Sequence, residues 1–278
     1  MKRILTVQDI SCVGKCSLTV ALPVISAFGV EAAVLPTAVL SAHTAFEHFT
    51  FRDLTEDINP IAEAWKAENL TFDAIYTGYL GSLKQIELVE ELFEEFGKNG
   101  VTKIADPAMA DNGKLYYGFD EAFALRMAKL CGKADVILPN LTEVSFMLKI
   151  PYPGEDYDEE YIKSVLKKLT ALGAKTAIIT GVSLRKEELG AYGYDSLNDK
   201  YFYCPGERLP VSYHGTGDLF ASAVCGALAR GLSVEESTKL AVNFTVESIK
   251  KTMENPDRRW YGVDFESAFP YLLKLLSE

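Results

Sequence analysis

Gly215-Thr216-Gly217-Asp218, running straight into Leu219-Phe220-Ala221-Ser222-Ala223-Val224, is the stretch from which the rest of this chain is best read. Glycines at 215 and 217 let the backbone turn tightly and approach a ligand closely. The apolar residues after Asp218 predict a buried helix, with Ala221, Val224 and Leu228 at helical spacing. Arg230-Gly231 closes it with a cation in the last turn and a left-handed cap. The glycines therefore stand at a helix N-terminus, where several N–H groups lack internal partners and the helix dipole favours negative charge. Such a place suits an anion, phosphate first among them. Asp218 then has two readings. It is an ordinary helix cap, or it is a general base that takes a proton from an attacking hydroxyl, a role worth roughly 100- to 10,000-fold.

Outward from that turn, strands and helices alternate. Ile4 to Val7 predicts a strand ending at Gln8-Asp9, and Leu18, Leu22 and Ile25 predict a helix stopped by Gly29. Val30 to Leu40 reads as a second strand, its regular part limited by Pro36. Pro60 to Asn69 reads as helix and Phe72 to Tyr76 as strand. Gln85 to Gly97 is an amphipathic helix with Ile86, Val89, Leu92, Phe93 and Phe96 on one side. Val101 to Ala105 is a strand broken by Asp106-Pro107, and Asp111 to Lys114 is a loop. Helix Phe123–Leu130 and strand Asp135–Leu138 follow. Asn140 caps a helix holding Glu143, Phe146 and Leu148. A helix from Tyr157 to Leu172 leads to strand Lys175–Thr180. Leu189–Tyr194 and Tyr201–Cys204 suggest an antiparallel pair. Ser233 to Glu236 is a capping box opening a helix to about Met253, and a last helix spans Phe265 to Leu276. This alternation, without linker or repeat, predicts one α/β domain over residues 1–278 with a central, mostly parallel sheet flanked by helices.

The bulk numbers agree with a globular chain and exclude some partners. With 278 residues and 48% hydrophobic content, a sizeable core is available. Lys and Arg total 28 against 39 Asp and Glu, a net charge of −11, which argues against nucleic acid and anionic membrane surfaces. Five cysteines without paired spacing read as reduced thiols, and Cys12 and Cys16 as packing residues. Met1 to Leu5 faintly resembles a signal peptide, but Gln8, Asp9 and Lys15 interrupt the apolar region. No run reaches membrane-spanning length. The expectation is a soluble, cytoplasmic protein.

In a parallel sheet the strand C-termini share one edge, where ligands bind. The polar clusters of this sequence fall at those ends: Asp9, His43-Thr44, Gly78-Tyr79, Asp106, Asn140 with Glu143, and Thr180-Gly181. Their convergence favours an active site over a simple cap. Asp106, Asp111 and Glu143 are either solvated loop carboxylates or oxygen ligands for Mg²⁺ held with nucleotide phosphates. Three standard motifs fail. Gly14-Lys15 lacks the Walker pattern, Gly215-Thr216-Gly217 lacks the third Rossmann glycine at Phe220, and no G-x-S-x-G elbow occurs.

Taken together, Ser41-Ala42-His43-Thr44, Thr77-Gly78-Tyr79-Leu80-Gly81-Ser82, Asp106-Pro107-Ala108-Met109, Pro139-Asn140-Leu141-Thr142-Glu143 and Gly215 to Phe220 resemble the pyridoxal (pyridoxine, pyridoxamine) kinases of the ribokinase superfamily. The likeness runs nearly the whole length. It implies a ribokinase-like fold and ATP-dependent phosphorylation of the 5′-hydroxymethyl group of a B6 vitamer. By that resemblance Asp218 would be the base, and the N–H groups of Gly215, Thr216 and Gly217 the anion hole. Asp106, Asn140 and Glu143 would organise Mg-ATP, with Asp106 and Glu143 nearest the metal and K⁺ as an optional second ion. Thr180 and Gly181 would lie along the nucleotide, and Leu209, Pro210 and Val211 on its adenine side. Asp111 to Lys114 would form a flap over the phosphates. Asp9, His43, Thr44 and Tyr79 would meet the substrate. The resemblance also implies a homodimer.

Two positions depart from the family pattern. Many relatives carry Ser where this chain has Asp9, facing the pyridine nitrogen. A carboxylate there implies a bias toward pyridoxamine or pyridoxine over pyridoxal. His214 replaces a residue often apolar in relatives. A kinase acting on hydroxymethylpyrimidine, and a non-catalytic vitamer binder, are the two competing expectations.

Overall fold

The computed structural model describes residues 1–277. In chain order the strands are β1 (Arg3–Ser11), β2 (Glu31–Leu40), β3 (Phe51–Asp53), β4 (Ala74–Thr77), β5 (Thr102–Ala105), β6 (Ala110–Asp111), β7 (Lys114–Leu115), β8 (Val136–Ile137), β9 (Thr176–Val182), β10 (Gly190–Asp195) and β11 (Lys200–Cys204). The helices are α1 (Leu18–Ala27), α2 (Thr55–Ala67), α3 (Leu83–Phe96), α4 (Glu121–Cys131), α5 (Leu141–Leu148), α6 (Glu159–Thr170), α7 (Thr216–Ala229), α8 (Val234–Glu254) and α9 (Phe269–Leu275), the last preceded by a 3₁₀ turn at Phe265–Ala268.

One sheet carries the order β11-β10-β9-β8-β5-β4-β1-β2-β3. From β9 across to β2 the neighbours pair in parallel; β10, β11 and β3 add antiparallel edges. The central strands are apolar on both sides, as a doubly covered sheet demands. Leu5, Val7, Ile75, Ala105, Ile137, Ala177 and Ile179 pack with α2 to α6 on one face. Ile4, Ala74, Tyr76, Ile104, Val136 and Ile178 alternate with them and pack with α1, α7 and α8 on the other. Strand order reverses at β1, which pairs with β2 on one side and β4 on the other. Such a switch point opens a crevice at the strands' C-terminal ends.

The local expectations hold for most elements, and the exceptions have physical reasons. β2 continues through Pro36, because the ladder to β1 kinks immediately after it: Gln8 pairs with Pro36 and Ile10 with Val39, so Thr37 and Ala38 face Asp9 together. α2 begins five residues before Pro60, at Thr55; burial of Ile58 and Ala62 offsets the one hydrogen bond the proline removes. The Asp111–Lys114 loop is the turn of the β6–β7 hairpin, with Asn112 and Gly113 both at positive φ. The edge strand β3 has no counterpart among the predicted strands. The expected last helix divides into the 3₁₀ turn and α9. Cys16 is buried as expected, but Cys12 is exposed rather than packed.

Candidate active site

Asp218 lies in the first turn of α7, and Gly215 is its N-cap in the left-handed conformation, φ 79°. Only glycine fits that cap. A Cβ there would stand 1.7 Å from the Lys15 carbonyl oxygen. Gly217 is different: a Cβ would meet nothing within 4 Å, so open space lies over its peptide. The α7 start therefore presents unpartnered N–H groups to a free volume. Leu219 to Ala227 behind it are buried and fix the helix in place.

The carboxylates gather around this turn. Burial raises Asp218 to about 7; a hydrogen bond from the Ser17 peptide N–H pulls it down, and the Asp9 charge pushes it up. Asp9, 4% exposed, is raised by burial and partly restrained by the hydroxyls of Ser17 and Ser11. Asp106, at the end of β5 and 8% exposed, is pushed well above the carboxylate range by burial and by Asp218. Glu143, 3% exposed, is raised by burial and by Asp106. Tyr116, 40% exposed as a residue, has its phenol raised by desolvation and then by the charges of Glu143, Asp111, Asp218 and Asp106. Asp106 thus lies within electrostatic reach of both Asp218 and Glu143, while Asp111 is exposed on the neighbouring hairpin.

The capping residues of α5 build the neighbouring wall. The Asn140 side-chain oxygen accepts from the Glu143 N–H at 2.9 Å, and Glu143 accepts from the Asn140 N–H at 2.8 Å. Glu143 also accepts from the Met109 N–H at 3.1 Å. Asn140 Nδ2 donates to the Ala110 carbonyl at 2.8 Å, and the Gly113 N–H donates to Thr142 Oγ1 at 3.0 Å. The α5 N-terminus therefore holds the β6–β7 hairpin at root and tip. Thr180 N–H donates to the Pro139 carbonyl at 2.9 Å, which brings Thr180 and Gly181 alongside Asn140. Asp111 is exposed and caps its own turn through Asn112. Pro210 and Val211 are exposed and Leu209 half-buried, on the segment leading into Tyr213 and His214.

The remaining predicted contacts are Tyr79, His43 and Thr44. Tyr79 follows β4, stacks obliquely on Phe119 at 5.6 Å and is raised to about 12 by burial and then by the Asp9 and Asp53 charges. His43 has both ring nitrogens engaged: Nδ1 accepts from the Ala45 N–H at 3.1 Å, and Nε2 donates to the Tyr261 carbonyl at 3.2 Å. Its ring packs on His214 at 4.4 Å and on Phe46 at 5.0 Å. His43 is thus an anchor that joins the loop after β2 to the glycine turn. Thr44 beside it is exposed, and His48 lies at the surface.

Sequence reasoning missed Ser17, Thr142, Tyr116 and the Met109 peptide. Thr142 stands inside a quoted motif, so a signal existed for it. Ser17 had none: its role depends on a positive φ of 48° and on a partner 201 positions away, from Asp218.

The fold, taken with the family match, makes this chain a small-molecule kinase of the ribokinase superfamily. The family model of phosphomethylpyrimidine kinase matches residues 20–259, and the chain belongs to that family. It is similar to a Bacteroides thetaiotaomicron protein described provisionally as a phosphomethylpyrimidine kinase, with 38% identity and a TM-score of 0.94 over 98% of this chain and 93% of that one. An orthorhombic crystal form of that protein was solved with pyridoxal, TM-score 0.92. The pyridoxal kinase of Lactobacillus plantarum is 31% identical over 99% of this chain and 98% of its own, TM-score 0.90. The hydroxymethylpyrimidine/phosphomethylpyrimidine kinase of Bacillus subtilis is 28% identical over 78% of each chain. Among the described residues no helix is long and apolar enough to cross a membrane.

Proposed function

We propose that this protein transfers the terminal phosphoryl group of ATP to the 5′-hydroxymethyl group of a B6 vitamer. The observation that carries this reading is the pyridoxal in a relative that is 38% identical over 98% of this chain. The site chemistry supports it. Asp218 would accept the hydroxyl proton as oxygen attacks phosphorus. The peptides of Gly215, Thr216 and Gly217 would receive the equatorial oxygens of the transferring group. Asn140, Thr180, Gly181 and the Leu209–Val211 segment would flank the nucleotide, and the hairpin carrying Asp111 would cover it. Asp9, Tyr79 and Thr44 would face the vitamer, and His43, with both ring nitrogens engaged, would brace Thr44 from behind.

Asp106 fits a cation. It is buried, and burial and Asp218 alone account for its raised pKa, with no hydrogen-bond donor on it. Mg²⁺ bound with the nucleotide would neutralise phosphate charge there. Glu143 would support it from behind while holding Met109. Among the described residues no three His, Cys, Asp or Glu side chains form a metal cage.

Hydroxymethylpyrimidine is the second reading, favoured by the family match and the Bacillus subtilis relative. Both substrates offer a CH₂OH on a six-membered nitrogen heterocycle. Purified protein with ATP, Mg²⁺ and a panel of pyridoxal, pyridoxine, pyridoxamine and hydroxymethylpyrimidine separates them. Highest kcat/KM on the pyrimidine overturns the B6 reading; no turnover on any of the four overturns the kinase reading. Sedimentation of the same preparation tests the expected homodimer.

A further inference from the structure

Gly14-Lys15 failed as a phosphate loop, and the chemistry above gives Lys15 no task. In the fold, however, Lys15 lies where three remote segments cross. Its carbonyl presses on Gly215, whose Cβ would stand 1.7 Å away. From the opposite side, a Cβ on Gly262 would stand 2.4 Å from Lys15 Cβ. Its ammonium, 17% exposed, reaches Asp264 Oδ1 and Glu266 Oε2, each at 2.8 Å. Asp264 is anchored in turn. Its other oxygen accepts from Asn255 Nδ2 at 2.7 Å, and its peptide N–H donates to Thr252 Oγ1 at 2.7 Å near the end of α8.

Two residues beyond Lys15, Ser17 is held at φ 48°, ψ −134°, a conformation uncommon for any residue but glycine. Such a backbone persists only where its surroundings impose it. It turns the chain from the Lys15 carbonyl, packed under Gly215, into the first residue of α1.

We propose that Lys15 is a positioning residue for phosphoryl transfer: clamped by Asp264 and Glu266, it holds the Gly14–Ser17 strap against Gly215 and so fixes the glycine turn from which α7 and Asp218 start. The inference rests on the kinase reading of Asp218. Lys15 touches no reacting atom; it acts through its own carbonyl, packed against Gly215. Reacting groups misplaced by an ångström lose about 100-fold in rate, so loosening the strap lowers turnover without weakening the binding of either substrate.

The test is steady-state kinetics on Lys15→Met, which keeps the stem and removes the charge, beside Lys15→Arg and Asp264→Asn. The expected result for Lys15→Met is a kcat lower by about tenfold or more, with both KM values within about twofold of the parent. Lys15→Arg restores most of the loss. Asp264→Asn reproduces it, and the double variant Lys15→Met/Asp264→Asn is no worse than either single change. Gly262→Ala, which crowds Lys15 Cβ and leaves every charge in place, also lowers kcat; it carries the test with Asp264→Asn if Lys15→Met does not fold. Parental kcat in these variants, or a lowered melting temperature with kcat and KM unchanged, overturns the proposal. A parent protein inactive on every vitamer and on the pyrimidine would instead overturn the kinase reading on which it stands.

Discussion

Asn140 and Glu143 cap one another across the first turn of α5, and Glu143 spends its other oxygen on the Met109 N–H, 34 residues earlier. One local motif therefore sets both a helix start and the path of the chain beyond β5. Glu143→Ala removes the acceptor for the buried Met109 N–H and the part-buried Asn140 N–H. Loss of a cap and an unsatisfied buried donor together cost about 2 to 4 kcal/mol. Urea unfolding should show that loss, and Glu143→Gln, which keeps one oxygen, should show less of it.

Asp218 predicts a pH dependence of both activity and stability. A base with a pKa of about 7 is mostly protonated in mild acid. Hence kcat/KM should fall about tenfold per unit below that value and level off above it. Asp218→Asn should abolish turnover and retain nucleotide binding by calorimetry.

The sign for stability is the reverse of the usual acid case. Asp218 is raised above its ordinary value of 3.8, so between that value and about 7 the folded chain holds a proton that the unfolded chain has released. The stabilisation is present below the unfolded value and is lost as pH rises to about 7. Asp106 and Glu143 act in the same direction. Asp218→Asn should therefore melt higher than the parent at pH 8 and differ little at pH 4. A lower melting temperature at pH 8 would show that the carboxylate is stabilising there.

The two glycines of the turn should fail differently. Gly215→Ala meets the Lys15 carbonyl and an unfavourable φ, so it should lower the melting temperature and eliminate turnover together. Gly217→Ala finds open space in the protein. It should melt like the parent and lose turnover, because its methyl would occupy the space assigned to the phosphoryl group. Differential scanning calorimetry paired with an ADP-release assay separates the two outcomes.

Asp9 should govern choice among vitamers. It is a buried acid whose only restraints are hydroxyls and its own peptide, and it stands close enough to shift Asp218 and Tyr79. A cationic or protonated group on the substrate would relieve it. Asp9→Ser should lower kcat/KM for pyridoxamine relative to pyridoxal by about tenfold. An unchanged ratio would remove Asp9 from the specificity argument.

What the sequence could determine by itself was whatever depends on near neighbours. The strand–helix alternation, the caps at Asn140 and Ser233 and the glycine start of α7 all arise from contacts within a few residues, so their spacing in the chain carries the information. The candidate site was legible for a related reason: parallel strands bring their C-terminal ends to one edge, so polar residues just after strands must converge. Only the tertiary structure could decide the rest. β2 passes Pro36 because its partner kinks there, and Phe51–Asp53 becomes a strand only because Ala38 to Leu40 offers it an edge. The Lys15 carbonyl packs under Gly215, and the Lys15 ammonium reaches Asp264 across 249 positions, through surroundings that no local pattern encodes. Such contacts form only after two layers of helices have closed on the sheet, where burial makes each unpaired charge or peptide costly enough to select its partner.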